Sequence, residues 1–269
     1  MIPAAFDYER AGSVDEAVEL LGRDEEARLL AGGHSLLPLM RLRFARPSLL
    51  IDIGRLDELR FVRDDGDRIA IGALSRHADL ARDPVLAGQC AVLSLAAGQI
   101  GDPQVRHRGT IGGSVAHADP ASDLGTVLLT LDAELIARGP DGERTIPASS
   151  FFTGPFDTAL ERQEVLTEIR VPKGAHGTYL KFARRAQDWA TVGVAAVRVD
   201  GRVQVGLTSM GATPLRATAV EEAVAGGASP GDAAARATEG VSPRGDAAAS
   251  PEYRAHLARV LVRRALEQL

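Results

Sequence analysis

The chain has 269 residues, 45% hydrophobic and 25% charged, with a formal net charge of −5. That balance fits an ordinary globular protein of two domains or one composite one, and it argues against a dedicated nucleic-acid binder, which is normally basic. No apolar run reaches the roughly eighteen residues that cross a membrane, and the opening "MIPAAFDYERAGS" lacks the basic and apolar regions of a signal peptide, so a cytoplasmic location with no transmembrane segment is expected.

In chain order, the first fifty residues read as strand, helix, strand, helix, strand. Ser13-Val-Asp-Glu16 is a capping box, and Val14, Ala17, Val18 and Leu21 recur behind it at helical spacing. "ARLLAG" and "SLLIDIG" read as buried strands, with a short helix "LLPLMRL" between them that Ser35 can cap. "LRFVRDDGDRIAIGAL" is a hairpin, and "PVLAGQCAVLSLAAGQI" is predicted as one long apolar helix with Pro84 in its first turn. Ser122 is positioned to cap a helix through "DLGTVLLTLD", followed by strands "AELIARG", "RTIPA" and "EVLTEIRVP". Beyond a boundary near residues 171–177, "TYLKFARR" and "TVGVAAVRVDGRVQVGLTSMG" read as three or four antiparallel strands. Short helices are expected over 216–249, and Ser250-Pro251-Glu252 opens a strong terminal helix.

Two glycine turns stand out. "LLAGGHSLLPLM" ends a strand at Ala31 and starts a helix near Ser35, so the intervening N–H groups, Gly32, Gly33 and His34 among them, point outward together onto a site suited to phosphate. A tight strand–helix turn without a ligand explains this stretch equally well. In "QVRHRGTIGGSVAHADPASDL", Thr110, Ile111, Gly112, Gly113 and Ser114 join a close-approach backbone to two hydroxyls, and Asp123 is placed to accept from a sugar or ribityl hydroxyl. Neither turn matches the Rossmann or Walker pattern. Two separated cradles suit a long diphosphate-bridged ligand, a dinucleotide held in some other fold.

Other chemistry is poorly supported. His34, His107 and His117 lie near the turns, yet no metal-ligand spacing such as His-Glu-x-x-His occurs, so no metal site is expected. No Gly-x-Ser-x-Gly elbow is present, and no catalytic side chain is assigned. Cys90 is the single cysteine and lies in an apolar stretch. It cannot form an intrachain disulfide, nor alone hold an iron–sulfur cluster, which takes about four cysteine ligands.

"LLAGGHSLLPLMRLR", "IGDPQVRHRGTIGGSVAHADPASDL" and "KFARRAQDWATVGVAAV" together resemble the FAD-binding medium subunit of the molybdenum hydroxylases, the family of carbon monoxide dehydrogenase and xanthine dehydrogenase. The resemblance spans essentially the whole chain. It implies an α+β fold: a two-lobed FAD-binding domain of the vanillyl-alcohol-oxidase/PCMH type over residues 1–174, then a small α+β domain over 175–269 with a three-stranded antiparallel sheet. It implies FAD on this chain, with Ala31 through Leu36 and Thr110 through Ser114 at its pyrophosphate and Asp123 at its hydroxyls. Ile100 and Leu166 match positions beside the isoalloxazine; Lys181 is a polar contact and Trp189 a cover. Aromatic residues often stand at the Ile100 position in the family, and Asn at that of Ser114.

The family's function follows as an expectation. Electrons from a large molybdopterin subunit pass through two 2Fe–2S clusters in a small iron–sulfur subunit to the FAD, and on to NAD, a quinone or oxygen. A dimer of heterotrimers is implied. The alternatives are a self-contained FAD-dependent oxidase acting on a small organic substrate, or a non-redox nucleotide-binding assembly module. The oxidised substrate would bind another chain, so this one does not specify it.

Overall fold

The computed structural model describes residues 2–269. A first lobe is built from β1 (Asp7–Arg10), α1 (Val14–Arg23), β2 (Arg28–Leu30), α2 (Leu36–Leu42) and β3 (Leu49–Asp52). Its strands form a parallel sheet in the order β1-β3-β2. Central β3 buries Leu49, Leu50 and Ile51 in succession, the continuous apolar run expected of a strand covered on both faces. Ser13 Oγ accepts from the Glu16 N–H at 3.1 Å, while Glu16 reaches back to the Gly12 N–H rather than to that of Ser13.

The second lobe begins with the hairpin β4 (Val62–Asp65) and β5 (Arg68–Gly72). Six short helices follow: α3 (His77–Leu80), α4 (Pro84–Gln89), α5 (Ala91–Gly98), α6 (Pro103–Arg108), α7 (Ile111–His117) and α8 (Asp123–Thr130). Then come β6 (Glu134–Gly139), β7 (Gly142–Pro147), α9 (Ala148–Phe151), a small hairpin β8 (Phe152–Gly154) and β9 (Asp157–Thr158), and β10 (Val165–Pro172). An antiparallel sheet runs β4-β5-β10-β6-β7, with Ile169 of β10 opposite Ile71 on one side and Leu135 on the other. The predicted long helix over 84–100 is corrected to two, because Cys90 adopts φ −155° and ψ 55° and ends α4 where α5 begins. A run apolar all round carries no 3.6-residue period, so nothing in the pattern marks that break.

The remaining chain forms β11 (His176–Phe182), β12 (Val192–Val199), β13 (Arg202–Thr208), β14 (Leu215–Arg216), α10 (Thr218–Ala225), α11 (Pro230–Ala235) and α12 (Pro251–Leu266). The expected three-stranded sheet gains a fourth, two-residue edge strand, β14, too short to leave a pattern. On β12, Ala195 and Val197 join the core of the second lobe while Val192, Val194 and Ala196 face the core formed with α12. "VGVAAV" is therefore apolar without alternation because both faces of its strand are covered. All eight residues of α8 are buried, and this helix packs against α5, α7, β12 and β13. It fixes the C-terminal sheet against the second lobe. Among the described residues, no helix is long and apolar enough to cross a membrane.

Candidate functional site

The first turn leaves β2 at Leu30, whose carbonyl accepts from the Ile53 N–H at 3.0 Å. Gly33 takes φ +79°, the left-handed conformation that favours glycine. The N–H groups of Gly32, Gly33, His34, Ser35 and Leu36 find no acceptor among the described residues, whereas those of Leu37 and Leu39 close onto Gly33 O and Ser35 O. Five successive donors thus open at the start of α2, where the helix dipole adds positive potential. That is an anion site built from backbone alone.

The second turn is built differently. Four of its N–H groups are spent within the chain: Ile111 donates to Ser75 O (3.0 Å), Gly112 to Ala73 O (2.8 Å), Gly113 to Thr110 Oγ1 (3.2 Å) and Ser114 to Thr110 O (3.0 Å), whereas that of Thr110 finds no acceptor among the described residues. Of the backbone donors expected of this turn, only that of Thr110 is open among the described residues. Gly112 is glycine because a methyl there would lie 2.6 Å from the Ala73 Cβ. The Ser114 hydroxyl pairs with that of Ser122 at 3.1 Å, so Ser122 does not make the side-chain cap expected of it. This turn is a wall, and the first turn rests on it: a methyl on Gly32 would lie 2.9 Å from the Gly109 Cα and closer still to the Arg108 carbonyl.

Two clefts meet at this junction and share Ser35, Gly113 and His117. One, of ≈ 400 Å³, carries Gly32, His34, Thr110 and Ser114, together with Ile100, Asp123, Lys181 and Trp189. The other, of ≈ 570 Å³, carries Ala31, Leu36, Gly112 and Leu166. Together they form one groove with the donor-rich turn at its waist. Ile100 lines the first cleft and Leu166 the second. Ile111 lines neither; it is 0% exposed and belongs to the core. Gly33 lines neither cleft and shapes the turn. Trp189, 67% exposed, lines the first cleft.

The floor of the first cleft is charged. Lys181 Nζ donates to Asp123 Oδ2 at 2.9 Å and to Gln99 O at 3.3 Å, with both ionic side chains 6% exposed. Tyr179 Oη donates to Asp123 Oδ1 at 2.6 Å and lies 3.4 Å from the Thr208 hydroxyl. Burial raises the Asp123 carboxyl above its usual range, against the pull of Lys181 and Tyr179. Burial and the Asp123 charge push the Tyr179 hydroxyl well above its ordinary value. Both carboxylate oxygens have partners, so Asp123 meets a ligand with only its remaining lone pairs.

Tyr179 and His77 escaped the sequence reading. Tyr179 stands two residues before Lys181 on one strand and so shares its face, a period-two signal that could have found it. His77 had no such signal. Burial, then the nearby Arg106 and His34, lowers its imidazole from 6.5 to about 4. Folding therefore holds it neutral: its contribution to stability is complete above 6.5 and is lost as pH falls toward about 4. At 1.36 kcal/mol per pH unit the loss is about 3 kcal/mol. Urea unfolding of the flavin-free chain between pH 7 and 4 should show this acid loss, and His77→Gln should lack it; parallel profiles would refute it.

A groove with open backbone donors where its two clefts meet has the form of a site for an extended, phosphate-bearing ligand. Comparison with known proteins agrees. Residues 4–174 match the FAD binding domain in molybdopterin dehydrogenase, and residues 177–269 the CO dehydrogenase flavoprotein C-terminal domain. The chain belongs to the FAD-binding medium-subunit family of the molybdenum hydroxylases and is a flavoprotein oxidoreductase subunit. It is 42% identical to the carbon monoxide dehydrogenase medium chain of Hydrogenophaga pseudoflava, over 99% of this chain and 97% of that one. It is 36% identical to the glyceraldehyde dehydrogenase medium chain of Sulfolobus acidocaldarius, over the full length of both. The solved Hydrogenophaga pseudoflava carbon monoxide dehydrogenase superposes with a TM-score of 0.95 at 43% identity, covering 100% of this chain and 98% of that one.

Proposed function

We propose that this chain is the electron-transferring FAD subunit of a multi-subunit molybdenum hydroxylase, taking electrons from a small iron–sulfur chain and passing them to NAD, a quinone or oxygen. The observation that carries the reading is the run of five unpartnered N–H groups at the waist of a two-ended groove. The residues fit FAD. Gly32, His34, Ser35 and Leu36, on the turn that Gly33 shapes, would hold the diphosphate, with Thr110, Gly112 and Gly113 as the facing wall. Asp123 and Lys181 form the polar floor of one end, Ile100 and Trp189 its flanks, and Leu166 lies at the other end. When bound, FAD supplies an acceptor that takes electrons singly and releases them in pairs; the chain's part is to hold and orient it and to tune its surroundings. Residues 1–174 form the FAD-binding unit and 175–269 a second unit, whose Lys181 and Tyr179 reach Asp123 of the first.

The electrons come from another chain. Cys90, the only cysteine, is buried, and burial pushes its thiol up to about 12, so it offers neither a cluster ligand set nor a reactive thiolate. The relatives are named for carbon monoxide, glyceraldehyde and 6-hydroxypseudooxynicotine at 42%, 36% and 39% identity. One scaffold recurs while the named substrate changes, as expected if the substrate binds elsewhere. Affinity purification through this chain from its native host should bring down a cysteine-rich small chain and a large molybdopterin chain, with iron and molybdenum, as a dimer of heterotrimers. A lone flavoprotein that oxidises a small organic substrate directly would overturn the proposal.

A further inference from the structure

We infer that His77 is a cofactor-contacting residue, whose Nε2–H donates a hydrogen bond to the dinucleotide held where the two glycine turns meet. The inference rests on the FAD reading above. His77 opens α3 and is 3% exposed, yet it is part of the wall of the cleft that holds Ile100 and Asp123. Its backbone N–H donates to Gly109 O at 3.1 Å, and Arg76 bridges to Thr110, so this segment is stitched to the second turn. The ring packs against Gly109: a methyl on that glycine would sit 2.8 Å from His77 Cδ2 and 3.0 Å from Nε2. Gly32 also rests against Gly109. The imidazole therefore adjoins the contact between the turns and lines one cleft with Gly32, His34 and Ser35.

The two ring nitrogens differ. Nδ1 is sealed in the interior without a hydrogen-bond partner, whereas Nε2 is not sealed and has no protein partner among the described residues. An orphaned buried N–H is among the rarest features of folded proteins, so the proton belongs on Nε2 and the bare lone pair on Nδ1. Burial and the neighbouring Arg106 and His34 keep the ring uncharged near neutral pH. The result is a rigid neutral donor at the edge of the groove. Leucine would fill the same space without burying an unpaired nitrogen, so packing alone does not account for histidine here. An oxygen of the bound dinucleotide would give the Nε2–H its acceptor.

The test uses the protein purified with its partner chains, and reads the FAD dissociation constant of wild type, His77→Gln, His77→Asn and His77→Leu. The Gln amide nitrogen reaches the position of Nε2; the Asn amide reaches only that of Nδ1. His77→Gln is expected within about threefold of wild type, and His77→Asn and His77→Leu weaker by roughly tenfold to a hundredfold, the scale of one hydrogen bond to a charged group. Equal affinity of the Gln and Asn variants, or a Leu variant that binds like wild type, overturns the inference. If the Leu variant does not accumulate, the Gln–Asn pair decides alone, since both keep a polar side chain of similar size. A wild-type protein that carries no flavin overturns the FAD reading itself, a result distinct from any difference among variants.

Discussion

Gly32→Ala is expected to weaken FAD binding markedly. The added methyl would meet the Arg108 carbonyl and, at 2.9 Å, the Gly109 Cα. Both are backbone atoms that cannot rotate away. The two turns would have to part, which changes the spacing of the groove at its waist and tilts the five donors away from their common target. Overpacking of this kind costs about 1–3 kcal/mol. Charged entirely to binding, that is a loss of roughly tenfold to a hundredfold in FAD affinity. Gly88→Ala is the control: it lies in α4 with nothing within 4 Å of the new methyl, and it should bind FAD normally and gain slightly in stability. Equilibrium dialysis of both variants against FAD checks the contrast, and equal affinities would show that the turns do not need their contact.

Lys181→Met is expected to destabilise the fold by about 3–5 kcal/mol, because it strands the Asp123 carboxylate in the interior with only Tyr179 for company. The companion change restores most of the loss: Asp123→Asn with Lys181→Met leaves no buried charge. The pH dependence has a definite sign. The folded-state value of Asp123 lies above its unfolded one, so the protonated acid is the form folding favours. The single variant should therefore be least impaired at low pH and worsen as pH rises through and beyond the carboxylate range. Urea titrations of the single and double variants at pH 5 and 8 measure this. A single variant as stable as wild type at pH 8 would show the pair to be wetter than its burial implies.

Much of the architecture was legible because it is written locally. The capping box at Ser13, the Pro84 and Pro251 helix starts and the Asp200-Gly201 hairpin turn each depend on neighbouring residues. The span of α2 matches "LLPLMRL" residue for residue. The break at Cys90 and the strand β14 were not legible, the first for want of periodicity and the second for want of length. In the site, residue types pointed to the donors of the first turn. In the second turn they could not show that the N–H groups of Ile111 and Gly112 close onto Ser75 and Ala73, more than thirty residues away. Tyr179 could have been read from the face it shares with Lys181. His77 could not, since its only link to the site is a tertiary contact with Gly109.

The central claim is that the groove between the glycine turns holds one flavin dinucleotide. Its most direct test is the absorption spectrum of the purified wild-type protein, followed by heat release and mass measurement of the cofactor. The account predicts a flavin spectrum and one FAD per chain. A colourless protein, or one that releases only a mononucleotide flavin, would contradict it.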